Sequence, residues 1–189
     1  SRFVGAHFDK NANFAYTHFW NSAVFNSVNF GGKADFMKVQ FHNGAFFIGT
    51  QFSKDVYFDY STEFNINASF ERSKFGEDVT FENTTFNSNA YFKAATFNGF
   101  TNFMEAWFRD DADFTEAKFE GDTRFNNVHF DNNLILIEAR INSMALNSSQ
   151  FKNESEILLK QAIFNRLYIN WNNIKTHLKY RYDDEYDWA

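Results

Sequence analysis

Ala112-Asp113-Phe114-Thr115-Glu116-Ala117-Lys118-Phe119 holds the unit from which most of this chain is built. It is a small residue, one variable position, a Phe, then two or three polar residues. Phe recurs 24 times from Phe3 to Phe130 at gaps alternating between 5 and 6, with one break where Phe58 to Phe64 spans 6 instead of 5. Two residues before each of these Phe stands only Ser, Ala, Thr or Val, from Ser1 to Val128. Phe makes up 28 of 189 residues, one residue type serving one repeated position.

A mean period of 5.5 fits neither a helix nor a long strand, whose side-chain periods are about 3.6 and 2.0. It fits a chain that turns a corner every five or six residues. On each short extended side, positions two apart point the same way, so Ala112 and Phe114 face inward and Asp113 faces out. Internal repetition of this kind defines a solenoid.

The units Ala90-Tyr91-Phe92, Ala95-Thr96-Phe97, Ala106-Trp107-Phe108 and Ala117-Lys118-Phe119 resemble the pentapeptide-repeat proteins, which place a small residue, a polar residue and a central Leu or Phe on each side. The resemblance covers residues 1–153. It implies an all-β fold, a right-handed, quadrilateral parallel β-helix whose central residues stack in interior ladders. The alternating sixth residue departs from the family pattern and makes a coil of 22 rather than 20 residues.

With four sides per coil, the longer gaps fall at two opposite corners. One reads Gly31-Gly32-Lys33, Gly76-Glu77-Asp78 and Glu120-Gly121-Asp122; the other reads His42-Asn43-Gly44, Asn87-Ser88-Asn89 and Asp131-Asn132-Asn133. Gly, Asn and Asp accept positive φ or bond their own backbone in turns, and their phasing with the six-residue gaps supports the four-sided path. The extra residue in Asp59-Tyr60-Ser61-Thr62-Glu63 is expected to be a bulge on a short corner. The ladder continues as Leu136, Ile141, Leu146 and Phe151, giving about seven coils and a rod roughly 34 Å long.

After residue 153 the composition changes. Asn153 with Glu154 and Glu156 suits a helix start, and Ile157, Phe164, Leu167, Trp171, Ile174 and Leu178 read as a helical stripe. The expected organisation is a solenoid over 1–153, then a C-terminal α-helical cap and an acidic aromatic tail over 154–189. Nothing precedes Ser1 to cap the first coil, so its open end is expected to meet further residues or a partner.

Cys and Pro are both absent, which excludes a disulfide scaffold, a Cys-based zinc site and a thiol nucleophile. The net charge of −6 argues against direct binding of nucleic acid. No leader pattern and no run of about 18 apolar residues is evident. Motifs for phosphate-loop, serine-elbow and zinc-protease chemistry are missing. Asn67-Ala68-Ser69 and similar Asn-x-Ser/Thr triplets arise readily in an Asn-rich repeat.

Three surface groups stand outside the repeat. His18 and His42 fall on one side in adjacent coils beside Trp20, too few ligands for a firm metal site. The stretch Glu105 to Asp122 carries Glu105, Asp110, Asp111, Asp113, Glu116, Glu120 and Asp122 against Arg109 and Lys118. On a convex rod such carboxylates have no water-free cleft for catalysis. Trp20, Phe46, Tyr57, Tyr91, Phe100 and Trp107 occupy outward positions, and Tyr57 with Tyr60 forms the closest cluster. No residue is therefore assigned a catalytic, cofactor-binding or metal role, and no cofactor is implied. The expected function is a non-enzymatic structural or protein-interaction module with a protein partner, and homodimerisation through a solenoid end is the oligomeric option. The alternative implied by the resemblance is a DNA-mimicking protein that binds a type II topoisomerase (gyrase), which requires one continuous negative face. The compartment is open, with the cytoplasm favoured.

Overall fold

The computed structural model describes residues 1–179. The chain winds as a parallel β-solenoid of about eight turns, with two-residue strands stacked on four faces. The first face runs from Ala23–Val24 to Leu178–Lys179 and the fourth from His18–Phe19 to Gln150–Phe151. The second and third faces begin at His7–Phe8 and Ala12–Asn13 and join in one sheet, because the strands Lys118–Arg124, Arg140–Ala145 and Ile163–Tyr168 continue round the corner between them. Register follows the repeat: Phe8 pairs with Phe30 and Phe30 with Phe52.

The inward pairs make the core. Ladder rings stack along the axis, as in Phe58–Phe81 at 5.0 Å and 3°, and Phe81–Phe103 at 4.9 Å and 3°. Across the interior they meet edge to face, as in Phe70–Phe81 at 5.4 Å and 80°. Both geometries suit the ring quadrupole, and each pair contributes about 0.5–1.5 kcal/mol beyond area burial. The Ala at the small positions from Ala23 to Ala139 are fully buried; a larger residue there would compete with the rings for the same space. At several small positions held by Ser or Thr the hydroxyl serves a carbonyl of the preceding coil: Thr50 Oγ1 donates to Phe25 O at 2.6 Å and Thr62 Oγ1 to Phe36 O at 2.8 Å, and Ser73, Thr84 and Ser149 repeat the contact with Phe47, Phe58 and Phe125, whereas the buried hydroxyls of Thr101 and Thr123 have no such partner.

The two kinds of corner turn by different means. Positive φ falls on the short corners, two residues after the ladder residue of the first and third faces, as at Tyr16, Ser27, Lys38, Ala94 and Glu116. Each such turn is closed by a bond like Thr17 N to Phe14 O at 3.1 Å. The glycines of the long corners are there for close approach instead. A Cβ at Gly32 would lie 2.5 Å from Asn11 N, and one at Gly99 would lie 2.5 Å from the Glu77 carbonyl carbon. The Asn and Asp of these corners reach the next coil: Asn11 Oδ1 accepts from Lys33 N at 3.0 Å and Asp78 Oδ1 from Phe100 N at 2.8 Å. The extra residue after Phe58 is the expected bulge, with both Tyr60 (φ 54°) and Ser61 (φ 73°) in the left-handed region.

The C-terminal helix is shorter than the stripe predicted. It is α1, the single turn Trp171–Ile174, capped by Asn170, whose side chain accepts from Asn172 N at 3.2 Å. Asn153 starts no helix; residues 157–168 build a further coil through the strands Ile157–Leu158 and Ile163–Tyr168, paired to Leu134–Ile135 and Arg140–Ala145. The reason is in the spacing. Leu159, Phe164, Ile169 and Ile174 stand five apart, with Ile157, Ala162 and Leu167 two before the first three, so the ladder period persists with aliphatic residues. Apart from the exposed Trp171, the apparent helical stripe mixed residues from two inward positions of that pattern. The helix packs against Gln150–Phe151, and His177 sits over Phe151 at 5.3 Å while its Nδ1 bonds Ser155 O at 2.8 Å. The tail 180–189 lies outside the described residues.

Candidate functional site

Because ladder residues point inward, any recognition surface is made of columns of outward residues, one per coil. Such columns join positions 21 to 23 apart in sequence. On the fourth face one column holds Trp20 and His42, their rings stacked at 3.9 Å and 4°, and His18 of the neighbouring column, which pairs with Gln40, brings its Nδ1 to 3.2 Å from His42 Nε2. Asn65 extends the line toward His42 at 3.5 Å and Asn87 donates to Asn65 at 2.9 Å. The two His are thus together as the sequence placed them, and among the described residues no group of three His, Cys, Asp or Glu side chains converges as metal ligands. Farther along, Trp107 carries Arg109 over its ring at 4.3 Å.

The acidic stretch Glu105 to Asp122 spreads round the circumference instead of forming a patch. Glu105 and Glu116 sit at two short corners, Asp110 and Asp111 at a long one, and Glu120 and Asp122 at the other. Several are already engaged: Asp113 Oδ1 accepts from Thr115 N at 2.9 Å, Asp110 Oδ1 from Asn132 Nδ2 at 3.1 Å, and Asp122 pairs with Arg166 at 3.3 Å. A segment one coil long is a ring, so sequence proximity here implies dispersion over all faces.

The first face is the most apolar outside. Register aligns Val24, Phe46, Ser69, Tyr91, Asp113, Ile135 and Leu158 in one outward column. Two apolar stretches, Val24 with Phe46 and Ile135 with Leu158, flank a mixed middle of Ser69, Tyr91 and Asp113, and the column is closed by Arg2 beside Val24 and Lys179 beside Leu158. Phe46 is only half exposed because its ring folds over Gly44, where a Cβ would come within 2.7 Å of it. The ion pairs lie elsewhere, at the long corners: Lys33–Asp55 at 2.7 Å, Lys54–Glu77 at 2.6 Å and Lys152–Asp131 at 2.8 Å.

The third face carries a notch of about 250 Å³ around Tyr57, Asp59, Thr80, Glu82 and Phe100. Sequence inspection singled out Tyr57, Tyr60 and Phe100 but not Asp59. Tyr57 turns its hydroxyl to Asp55 Oδ2 at 3.2 Å, whereas Tyr60 projects into solvent, 60% exposed. Phe100 lies under Arg124 at 5.0 Å. The Lys33 ammonium, bonded to Asp55, holds that carboxyl below the usual carboxylate range. Asp59 behaves oppositely: burial, with smaller contributions from Asp35 and Glu82, pushes its carboxyl up to about 6. The signal that would have found it is the slip itself, since the bulge draws the residue after Phe58 inward.

No described helix is long and apolar enough to cross a membrane. Over residues 3–51, 81–129 and 105–145, more than half of its length, the chain matches the family described as Pentapeptide repeats (9 copies). Searches of curated proteins and of solved structures return no match.

Proposed function

The chain belongs to the pentapeptide-repeat family, and from that premise we propose that it is a non-enzymatic interaction module whose first face meets a protein partner. The observation that carries this reading is the outward column Val24, Phe46, Tyr91, Ile135 and Leu158, apolar where the long corners carry ion pairs. Aligned apolar groups on an outer sheet face are what a protein interface uses at its centre. Among the described residues the convex surface offers no closed cleft from which water is excluded, so catalysis finds no support there.

The topoisomerase-binding alternative needs one continuous negative column. The mixed columns weigh against it: at one long corner, one column reads Asn11, Lys33, Asp55, Asp78, Phe100 and Asp122, and the column beside it Lys10, Gly32, Lys54, Glu77 and Gly99. The test is affinity capture with wild type, a first-face variant carrying Phe46→Lys and Ile135→Lys, and a fourth-face control carrying Trp20→Lys. A specific partner held by wild type and the control but lost by the first-face variant is the expected result. A partner lost only by the control would place the interface on the fourth face, and a topoisomerase held equally by all three would revive the alternative.

A further inference from the structure

The notch on the third face contains a carboxylate in an expensive position. Asp59 is 9% exposed and its Oδ1 has no hydrogen-bond partner. A buried charge is tolerated only when something opposite completes it. The groups facing Asp59 supply nothing of that kind. Asp35 and Glu82 are acidic, and Asp55 and Asp78 line the opposite wall. Of the cations at the rim, Lys33 is committed to Asp55 at 2.7 Å and Arg124 lies on the outer Phe100 ring at 5.0 Å.

The shape is as informative as the charge. Register stacks Tyr57, Thr80 and Asn102 in one column, so a small side chain separates larger ones and leaves the opening of about 250 Å³. Tyr57 and Phe100 give it aromatic surface, and Asp59 and Glu82 supply acceptors. Glu82 Oε2 already takes one bond from Asn102 Nδ2 at 2.8 Å. Flat rings beside carboxylate oxygens favour a planar, weakly hydrated, many-donor cation over a compact ammonium.

We propose that this notch is a binding site for the guanidinium group of an arginine carried by a protein partner, with Asp59 as its principal acceptor. The site deepens the interaction-module reading by giving it a specificity element. Binding holds Asp59 in its ionised form, so affinity falls as pH drops through about 6, where protons compete with the cation.

The test is an NMR titration of the whole chain with N-acetyl-arginine methylamide, its neutral citrulline counterpart and the lysine analogue. Saturable shifts at Tyr57, Asp59 and Phe100 are expected with arginine only. Asp59→Asn should weaken binding about tenfold or more, since a charge-assisted bond to the bound cation is lost. Thr80→Tyr, which fills the opening without touching a charge, should abolish it and decides the matter if Asp59→Asn folds poorly. Equal response to citrulline or lysine, unsaturable shifts, or indifference to Thr80→Tyr would overturn the assignment. A failed titration removes the notch and leaves a first-face partner untouched, while loss of capture by the first-face variant leaves the titration unaffected.

Discussion

The Phe coils and the aliphatic coils that follow them share one backbone path but fill it differently. Up to Phe130 each layer is closed by rings stacked at about the strand spacing, as in Phe86–Phe108 at 4.8 Å. Beyond it Phe151 still stacks on Phe130 at 4.9 Å, but other ladder positions pass to Leu136, Leu146, Leu159 and Ile169, and an apolar cavity of about 180 Å³ opens among them, Phe164 and Ile174. A flat ring reaches the middle of the coil and touches rings above, below and beside it. A branched aliphatic chain is shorter and leaves the middle empty. Period decides the path; side-chain reach decides how solid the interior is.

The largest expected effect tests that contrast directly. Phe81→Ala, in the middle of the ladder and fully buried, should cost about 3–5 kcal/mol by urea denaturation. Leu159→Ala, beside the cavity, should cost about 2 kcal/mol because its wall is already incomplete. Equal losses would sink the idea that the two regions are packed differently.

Next comes the corner at which one region gives way to the other. Gly121 stacks against Gly99, and the following coil dispenses with one residue there, with register moving between Phe119 and Asp122. Gly121→Ala should therefore destabilise by about 1–3 kcal/mol through overpacking. Asn142→Ala, on the shorter corner of the next coil, should stay within about 0.5 kcal/mol. Reversed magnitudes would mean that the shortened corner is not what relieves the crowding.

A third outcome concerns the slip inside the ladder itself. Asp59 has its folded pKa raised from 3.8 to about 6, so the folded state prefers the protonated form. Ionisation then costs stability, and the loss should develop as pH rises from about 4 to 6. Melting temperatures of wild type and Asp59→Asn should separate across that window, with the variant gaining as pH increases. Parallel curves would show that Asp59 is not held in the unfavourable state. The smallest effect is expected at Phe46→Ala, under about 1 kcal/mol in the same denaturation assay, because the ring lies on the outer surface and covers only Gly44. A loss matching that of Phe81→Ala would reverse the assignment of inward and outward positions.

The four faces were legible because Phe and its small companion repeat with almost no exceptions, and the slip at Phe58 was visible as one irregular gap. The corner glycines marked the turns without saying how they turn, because Gly serves two purposes, φ freedom and close approach, and composition cannot separate them. The coil at 157–168 was hidden by its residues: Leu, Phe and Ile five apart overlap a helical stripe, and the change from Phe removed the marker. The notch was illegible for a different reason. Asp59 looks like any other corner Asp until the bulge turns it inward, and its companions Thr80, Glu82 and Phe100 are distant in sequence, brought together only by stacking.

Uniform register makes this rod a graduated spacer. Removing residues 90–111 would join Asn89 to Ala112, the register partner of Ala90, and restore the same corner. Each such excision shortens the rod by one strand spacing, about 4.8 Å, while every remaining layer keeps its neighbours. Length in this molecule comes in whole steps, and two partners bound at different heights would be set apart by a multiple of that step.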